Sequence, residues 1–272
     1  MTNSYRFRTA WPLLIGLVLL GGWLLGAAAP APKPRPTLYL IGDSTVKNGQ
    51  GRGDGGLWGW GNYLPLAFDT TRLRVENDAR GGTSTRTFRS QGLWEKVRVK
   101  IRPGDYVLMQ FGHNDSSPLT DSTRARGTIK SNADDSQEVF NYFTKQKEVV
   151  HSYGWYLRQF VAEAKAQGAT VVICSPIPRN EWSGGKVKRN TADYGRWAAE
   201  AARQSGATFI DLNQLIADRY DRAGEAAVKS TYFNATDHTH TIEAGAQLNA
   251  EAVADGIRAA KGLSLKKYLL KK

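Results

Sequence analysis

The chain contains a single cysteine, Cys174, among its 272 residues, so no disulfide can form within it. Histidine and methionine are also scarce, with four and two copies. A chain without internal disulfides must gain its stability from a packed core, and this one is long enough for one large α/β domain. Because Cys174 lies in an apolar run, we expect it to be buried and inert. No repeat with a period of about 20 to 50 residues is present, which argues against a solenoid or propeller.

An uncharged apolar run, Trp11 to Leu25, follows Arg6 and Arg8 near the N-terminus and ends in small residues. This order predicts a secretory signal peptide over residues 1–28, with an uncleaved membrane anchor as the alternative. We therefore expect a secreted or periplasmic bacterial protein with no stable membrane association once the signal is removed. Three further segments are predicted: a Pro-rich linker at 29–36, one α/β domain at 37–262 and a solvated basic tail at 263–272.

Five short runs have the apolar, β-branched or aromatic composition of buried strands. They are Thr37–Ile41, Leu73–Glu76, Tyr106–Phe111, Thr170–Cys174 and Ala207–Ile210. Helical spacing appears between or after them, at Tyr156–Ala164, Trp197–Gln204 and Ile242–Ile257. This alternation predicts the α/β class, with a five-stranded parallel sheet inside a three-layer α/β/α sandwich. The polar segment 116–150 departs from the alternation, and long connections of this kind are usually functional or mobile.

Candidate catalytic groups follow the predicted strands, where open α/β sheets bind their ligands. Ser44 comes directly after the first strand, and Gly82 lies in a glycine turn after the second. Asn114 follows the third strand, and its carboxamide is a neutral donor suited to an oxyanion. With only four histidines available as a base, His240 stands out because Asp237, three residues earlier, can fix its tautomer.

At these positions the sequence resembles the SGNH (GDSL-type) hydrolase superfamily, and within it the rhamnogalacturonan acetylesterases. The resemblance covers about residues 37–260 and rests on five short blocks in order. They are Tyr39-Leu40-Ile41-Gly42-Asp43-Ser44-Thr45, Gly59-Trp60-Gly61, Asn77-Asp78-Ala79, Phe111-Gly112-His113-Asn114-Asp115 and Asp237-His238-Thr239-His240-Thr241. The likeness implies a flavodoxin-like fold and a serine esterase that uses no metal and no organic cofactor.

The resemblance also implies a role for each matching residue. Ser44 would be the nucleophile, His240 the general base and acid, and Asp237 the group that orients His240. The oxyanion hole would combine the Ser44 amide, the Gly82 amide and the Asn114 side chain. Gly82 is preferred to its neighbour because the family places its glycine five residues after the asparagine that corresponds to Asn77.

The charge of the chain favours an anionic partner. Its formal net charge is +12, and removal of residues 1–28 leaves 35 basic against 25 acidic residues, a net charge of +10. Charge alone does not separate acidic polysaccharide, phospholipid and nucleic acid. The resemblance favours an acetylated acidic polysaccharide such as pectic rhamnogalacturonan, and we expect no nucleic-acid partner. The candidate substrate contacts are Arg80, Arg86, His113, Arg124 and Arg126.

Several alternatives remain open from the sequence. The same chemistry could act on acetylxylan, on peptidoglycan O-acetyl groups or on a lipid or thioester. A zinc site could form from His113, Asp237, His238 and His240, and the chain could also be a non-catalytic sugar-binding protein. The glycines at 51, 53 and 56 match a dinucleotide pattern, but they begin ten residues after the first predicted strand rather than in its first turn.

Overall fold

The structure is a computed structural model that describes residues 1–3 and 35–271. The chain divides into two units, Met1–Pro34 and Arg35–Lys272, and the second contains all of the secondary structure described below. The predicted signal peptide, with Arg6 and Arg8, and most of the predicted linker lie outside the described residues. Their assignments stay predictions.

The described residues form eleven strands. They are β1 (Thr37–Gly42), β2 (Leu57–Trp58), β3 (Arg74–Asn77), β4 (Tyr106–Gln110), β5 (Ser136–Asn141), β6 (Gln146–His151), β7 (Thr170–Cys174), β8 (Trp182–Ser183), β9 (Lys186–Val187), β10 (Thr208–Ile210) and β11 (Thr241–Ile242). Strands β1, β3, β4, β7 and β10 form one parallel sheet in the order β10-β7-β4-β1-β3. These are the five predicted strands, so the predicted sheet is confirmed.

Seven α-helices connect or cover these strands in the described part of the chain. They are α1 (Thr85–Ser90), α2 (Leu93–Arg98), α3 (Tyr153–Ala166), α4 (Tyr194–Ser205), α5 (Leu212–Ala223), α6 (Glu225–Thr231) and α7 (Glu243–Ala259). Short 3-10 turns lie at Asp54–Gly56, Trp60–Asn62, Leu64–Ala67 and Ser264–Tyr268. None of the helices in these described residues is long and apolar enough to cross a membrane.

Both faces of the sheet are buried, as the near-continuous apolar strands predict. In β1, Leu38 and Leu40 pack into one hydrophobic cluster while Tyr39 and Ile41 pack into another. Residues of α5 and α7 complete the first cluster, and residues of α2, α3 and α4 complete the second. Because side chains alternate along a strand, each strand serves both layers, and the three-layer α/β/α architecture is confirmed. Cys174 is buried in the first cluster, as predicted.

The segment from 116 to 150 contains an element that the sequence pattern did not indicate. Strands β5 and β6 pair antiparallel over Ser136–Asn141 and Gln146–His151, and we call this unit the hairpin. Its base is closed next to α3, where the Ile129 amide donates to the His151 carbonyl at 3.1 Å. The Tyr153 amide in turn donates to the Ile129 carbonyl at 3.0 Å. Much of the long connection is therefore an ordered projection from the sheet layer.

The C-terminal segment differs from the predicted solvated tail. Leu263, Leu265 and Tyr268 are buried and belong to the first hydrophobic cluster. The Asp69 amide donates to the Tyr268 carbonyl at 2.8 Å, which fixes the segment against the loop before β3. The expectation of a solvated end is wrong here, because the apolar residues between the lysines pack on the domain while the lysines face water.

Candidate active site

Ser44 lies in the turn that follows β1. Gly42 ends this strand, and a Cβ at Gly42 would lie 2.5 Å from the Gln110 carbonyl oxygen, so the close approach of the two strands requires glycine. The Val46 amide donates to the Asp43 carbonyl at 3.2 Å and tightens the turn. Ser44 is thereby presented at the carboxyl edge of the sheet, where the sequence predicted it.

A buried hydrogen-bonded chain supports this turn from below. Asp43 is fully buried, and its Oδ1 accepts from the amide and the hydroxyl of Thr45 at 2.9 and 2.7 Å. Gln110 Nε2 donates to Thr45 Oγ1 at 2.7 Å, and Trp60 Nε1 donates to Gln110 Oε1 at 2.9 Å. This network of hydrogen bonds fixes the backbone on both sides of Ser44. Asp43, Thr45 and Trp60 lie in the motif blocks and Gln110 directly precedes one, but their spacing gave no sign that they form one network.

His240 connects Ser44 to Asp237. The distance from His240 Nε2 to Ser44 Oγ is 2.8 Å, and that from His240 Nδ1 to Asp237 Oδ2 is 2.7 Å. Asp237 Oδ1 accepts from the amides of Thr239 and His240 at 2.7 and 2.8 Å. The structure therefore brings together three residues whose first and last members are 196 positions apart. A serine, an imidazole and a carboxylate in this order can carry out nucleophilic acyl transfer.

The environment of Asp237 favours its ionised form. Partial burial works against this, but the hydrogen bonds from the backbone and ring of His240 and from the Thr239 amide lower the pKa of the Asp237 carboxyl. An ionised carboxylate can only accept hydrogen bonds, so we assign the proton at this contact to His240 Nδ1. His240 Nε2 is then free to take the Ser44 proton.

Two further contacts hold the loop that carries His240. Strand β11 follows it directly and pairs antiparallel with β2, with Thr241 opposite Trp58. The Arg179 guanidinium donates to the Thr239 hydroxyl and, at 3.5 Å, to the His113 carbonyl. Arg179 thus ties the His240 loop to the loop after β4. No feature of the sequence pointed to Arg179.

The predicted oxyanion donors are the Ser44 amide, the Gly82 amide and the Asn114 carboxamide. In the part of the chain that the structure describes, neither the Ser44 amide nor the Gly82 amide has a hydrogen-bond acceptor. Gly82 has a φ of 79°, a conformation that favours glycine. Asn114 Nδ2 donates one hydrogen to the Thr83 carbonyl at 2.8 Å, which leaves its second hydrogen available. Arg126 Nη1 donates to Asn114 Oδ1 at 2.7 Å and fixes the orientation of the carboxamide.

These groups border a cavity of about 740 Å³ that we call the catalytic cavity. Ser44, His240, Gly82 and Asn114 all line it. Its other lining residues are Asn48, Gly49, Gln50, Arg80, Gly81, Thr83, Gln91, Thr123, Arg124, Arg126 and Phe143. Three of the five residues predicted to contact substrate, Arg80, Arg124 and Arg126, therefore line this cavity, and their contact with substrate stays a prediction. Among the described residues, no aspartate or glutamate lines the cavity, so its walls favour an anionic ligand.

Arg86 has a different role from the predicted one. Its side chain is 1 % exposed, and it forms a bidentate ion pair with Glu148 of the hairpin at 2.9 and 2.6 Å. Its Nη1 also donates to the carbonyls of Leu119 and Gly127, each at 3.0 Å. The prediction that Arg86 contacts substrate is wrong, because all of this guanidinium is committed to holding the hairpin and the loop before it.

His113 lines a second cavity of about 270 Å³, which we call the Arg179 cavity. Burial, reinforced by Arg179 and His240 and opposed by Asp43, lowers the pKa of His113 to about 4, so the ring is neutral at physiological pH. The structure therefore separates His113 from the catalytic cavity. His238 instead approaches Glu181 at 3.5 Å, and the described residues contain no cluster of His, Cys, Asp or Glu that could hold a metal.

Comparison with known protein families shows which family the chain belongs to. The GDSL-like Lipase/Acylhydrolase family matches residues 40–248, which is most of the chain and includes Ser44, Gly82, Asn114, Asp237 and His240. The chain belongs to this family. It is a carboxylic ester hydrolase, and the acetylesterase names of its relatives agree with that class.

Two curated relatives of this GDSL-like hydrolase carry the name that the motifs suggested. A rhamnogalacturonan acetylesterase from Emericella nidulans is 29% identical over 79% of this chain and 82% of its own length. A probable rhamnogalacturonan acetylesterase from Bacillus subtilis, YesY, is 30% identical over 86% of this chain and 97% of its own.

Solved structures show the same fold. The protein YXIM from Bacillus subtilis superposes with a TM-score of 0.68 at 26% identity, over 83% of this chain and 56% of that chain. This GDSL-like hydrolase thus spans little more than half of the YXIM chain. An acetylxylan esterase from Geobacillus stearothermophilus has a TM-score of 0.54 at 21% identity, over 81% of this chain and 93% of its own, and that likeness concerns the fold alone.

Proposed function

We propose that this GDSL-like hydrolase removes O-acetyl groups from pectic rhamnogalacturonan through an acetyl-Ser44 intermediate. The observation that carries the proposal is that Asp237, His240 and Ser44 are hydrogen-bonded in this order beside a cavity whose lining, among the described residues, includes arginines and no carboxylate. Rhamnogalacturonan contains galacturonate carboxylates, which such walls attract. The names of the relatives from Emericella nidulans and Bacillus subtilis support the same substrate.

In the first step His240 Nε2 takes the proton of Ser44 Oγ as this oxygen attacks the acetyl carbonyl carbon. The carbonyl oxygen becomes an oxyanion, and we assign its stabilisation to the amides of Ser44 and Gly82 and to Asn114 Nδ2. Asp237 stays ionised and stabilises the imidazolium that forms.

In the second step the bond between the carbonyl carbon and the sugar oxygen breaks. His240 returns its proton to that oxygen, so the sugar leaves as an alcohol and the acetyl group stays on Ser44. A water molecule then gives a proton to His240 and attacks the acetyl carbonyl. Acetate leaves, and Ser44 Oγ regains the proton from His240.

Export of the protein is part of the proposal. The supporting observation is the sequence pattern at residues 1–28, where Arg6 and Arg8 precede an apolar run that ends in small residues. An intact cell-wall polymer lies outside the cell, so an enzyme that deacetylates the intact polymer has to reach it outside the cytosol. Mass spectrometry of the protein in culture medium and periplasm tests this point, and a full-length chain retained in the cytosol would contradict it.

The proposed activity is tested by acetate release from acetylated rhamnogalacturonan, acetylxylan and O-acetylated peptidoglycan. We expect the wild-type enzyme to prefer the pectic polymer and Ser44→Ala to release no acetate above background. The control is Ser116→Ala, which changes an exposed serine outside the catalytic cavity. Thr45→Val is unsuitable as a control because Thr45 supports the turn that carries Ser44.

Either of two results would overturn a different part of the proposal. Release from acetylxylan or peptidoglycan alone, still dependent on Ser44, would remove the pectic substrate and keep the mechanism. Full activity of Ser44→Ala would remove the mechanism itself.

A further inference from the structure

The hairpin carries three large aromatic side chains that are exposed to solvent. Phe140, Tyr142 and Phe143 are 44, 48 and 63% exposed. Phe140 and Tyr142 meet edge to face with ring centroids 5.1 Å apart. Phe143, at the tip, lines the catalytic cavity together with Arg124 and Arg126. Exposed apolar groups gathered at the edge of a binding site mark a surface that a ligand covers.

The backbone of the aromatic tip is held by partly buried polar contacts. Asn141 Oδ1 accepts from the amides of Phe143 and Thr144 at 3.0 and 3.1 Å. Asn141 Nδ2 donates to Glu148 at 2.7 Å, and Glu148 is the ion-pair partner of the buried Arg86. Phe143 is therefore fixed, through Arg86, to the helix that follows the Gly82 turn. Fixing a contact residue before binding reduces the entropy that is lost when the ligand arrives.

We propose that Phe143 is a stacking platform for a sugar ring of the polysaccharide substrate, next to the ring whose acetyl group reaches Ser44. This inference rests on the proposed function, since it assigns the occupant of the outer part of the same site. A pyranose ring has an apolar C–H face and a polar rim of hydroxyls. An aromatic ring can cover that face and remove it from water, while the neighbouring arginines pair with carboxylates on the rim.

The position of Phe143 favours a sugar over a purely apolar ligand. The cavity that it borders is otherwise lined by arginines, amides and hydroxyl groups, among them Arg124, Asn114 and Thr123. An acyl chain would leave these groups without partners, whereas a sugar ring offers them hydroxyls and carboxylates. One flat apolar face beside many polar groups is the arrangement that a glycosyl unit requires.

Replacement of the ring tests the platform. If roughly 30–60 Å² of apolar surface is covered on binding, Phe143→Ala should lower the ratio of kcat/KM on the polysaccharide to kcat/KM on p-nitrophenyl acetate about 3- to 10-fold. The loss should lie in KM, because Phe143 does not contact the reacting atoms. Phe143→Trp should retain the wild-type ratio, since it keeps a flat aromatic face.

Leu66→Ala is the matched control, because Leu66 is an exposed apolar side chain, 73% exposed, that does not line the catalytic cavity. Its ratio should equal that of the wild type. A Phe143→Ala ratio within twofold of the wild type on every polysaccharide that is cleaved would overturn the platform.

The substrate assignment and the platform can fail separately. If only acetylxylan or peptidoglycan is cleaved, the proposed pectic substrate is wrong, and Phe143→Ala on that polymer decides the platform. If no acetylated polysaccharide is cleaved, both fall, because the platform would have no sugar to bind.

Discussion

His113 and Asn114 are neighbours in the chain, yet they line two different cavities. Asn114 borders the catalytic cavity, whose charged lining residues among those the structure describes are all arginines. His113 borders the Arg179 cavity, where three basic residues are accompanied by the carboxylates of Glu181 and Asp193. Two adjacent residues of one motif block therefore belong to different electrostatic environments.

The local pairing of charges differs between the two cavities, although both belong to a chain with a net positive charge. Arg189 in the Arg179 cavity donates to Asp218 and Asp221 at 2.9 and 2.8 Å, so its charge is already compensated. Arg80 and Arg124 in the catalytic cavity are exposed, and their guanidinium groups have no carboxylate partner among the described residues. Their positive charges are therefore uncompensated, and they lie in the same cavity as Ser44.

The largest effect should come from the carboxylate that orients His240. Asp237→Asn removes the negative charge beside His240 Nδ1 and permits the wrong tautomer, so kcat for a small acetyl ester should fall about 10,000-fold. The same exchange in the Arg179 cavity, Asp193→Asn, should change kcat less than twofold, since asparagine can still cap α4. Steady-state kinetics of both variants test the contrast, and near-normal turnover by Asp237→Asn would show that the assignment of the three residues is wrong.

The next largest effect compares an asparagine side chain in each of the two cavities. Asn114→Ala removes one oxyanion donor and should lower kcat about 100- to 1,000-fold with little change in KM. Asn190→Ala, which removes a carboxamide from the Arg179 cavity, should lower kcat less than threefold. Circular dichroism verifies folding in both cases. Equal losses in the two variants would mean that Asn114 acts through stability and not through the transition state.

A smaller effect should follow from single charges. Arg124→Gln removes one uncompensated charge and should raise KM for an acidic pectic oligosaccharide about fivefold at low salt, with no change for neutral acetylxylan. Added salt should raise the wild-type KM for the acidic substrate only. Lys188→Gln removes a charge of the same sign from the Arg179 cavity and serves as the control. If both variants respond alike, net charge and not the lining of the catalytic cavity attracts the substrate.

The smallest effect concerns the neutral His113. Because burial lowers the pKa of His113 to about 4, below its value in the unfolded chain, its contribution to stability is complete above about pH 6.5 and is lost as pH falls towards 4. Replacement by an uncharged residue in His113→Gln should reduce the drop in Tm between pH 7 and pH 4.5 by about 5 °C. Thermal unfolding of the two proteins across this range measures the difference, and parallel curves would refute a buried neutral ring.

The sheet and the candidate catalytic residues Ser44, Asp237 and His240 were predictable because each depends on local sequence patterns. A strand such as β7 is a run of buried residues, Val171 to Cys174, that any parallel sheet would place inside. Asp237 and His240 are three residues apart, and the chain has few other histidines. Ser44 and His240 are 196 positions apart and meet where the turn after β1 faces the loop before β11, beyond the carboxyl end of β1.

The hairpin and the role of Arg86 were not predictable in this way. The buried Arg86 pairs with Glu148, which is 62 residues away, and no residue near Arg86 in the sequence indicates that partner. The turn between β5 and β6 contains no glycine or proline, and Lys145 adopts the left-handed conformation, with a φ of 61°. The usual marks of a hairpin are therefore absent, and exposed arginines are so common that a buried one cannot be recognised from its neighbours.

The closed base of the hairpin bears on how the polymer preference of this enzyme could change. Ile129 and Ser152 form a bridge, so the chain leaves and rejoins the sheet layer at adjacent points. A projection with neighbouring ends can be exchanged as a cassette without moving the strands that carry Ser44 or Asn114. Grafting other sequences between these two residues, with Glu148 kept as the partner of the buried Arg86, would then diversify polymer preference during evolution or in a laboratory library without altering Ser44, Asp237 or His240.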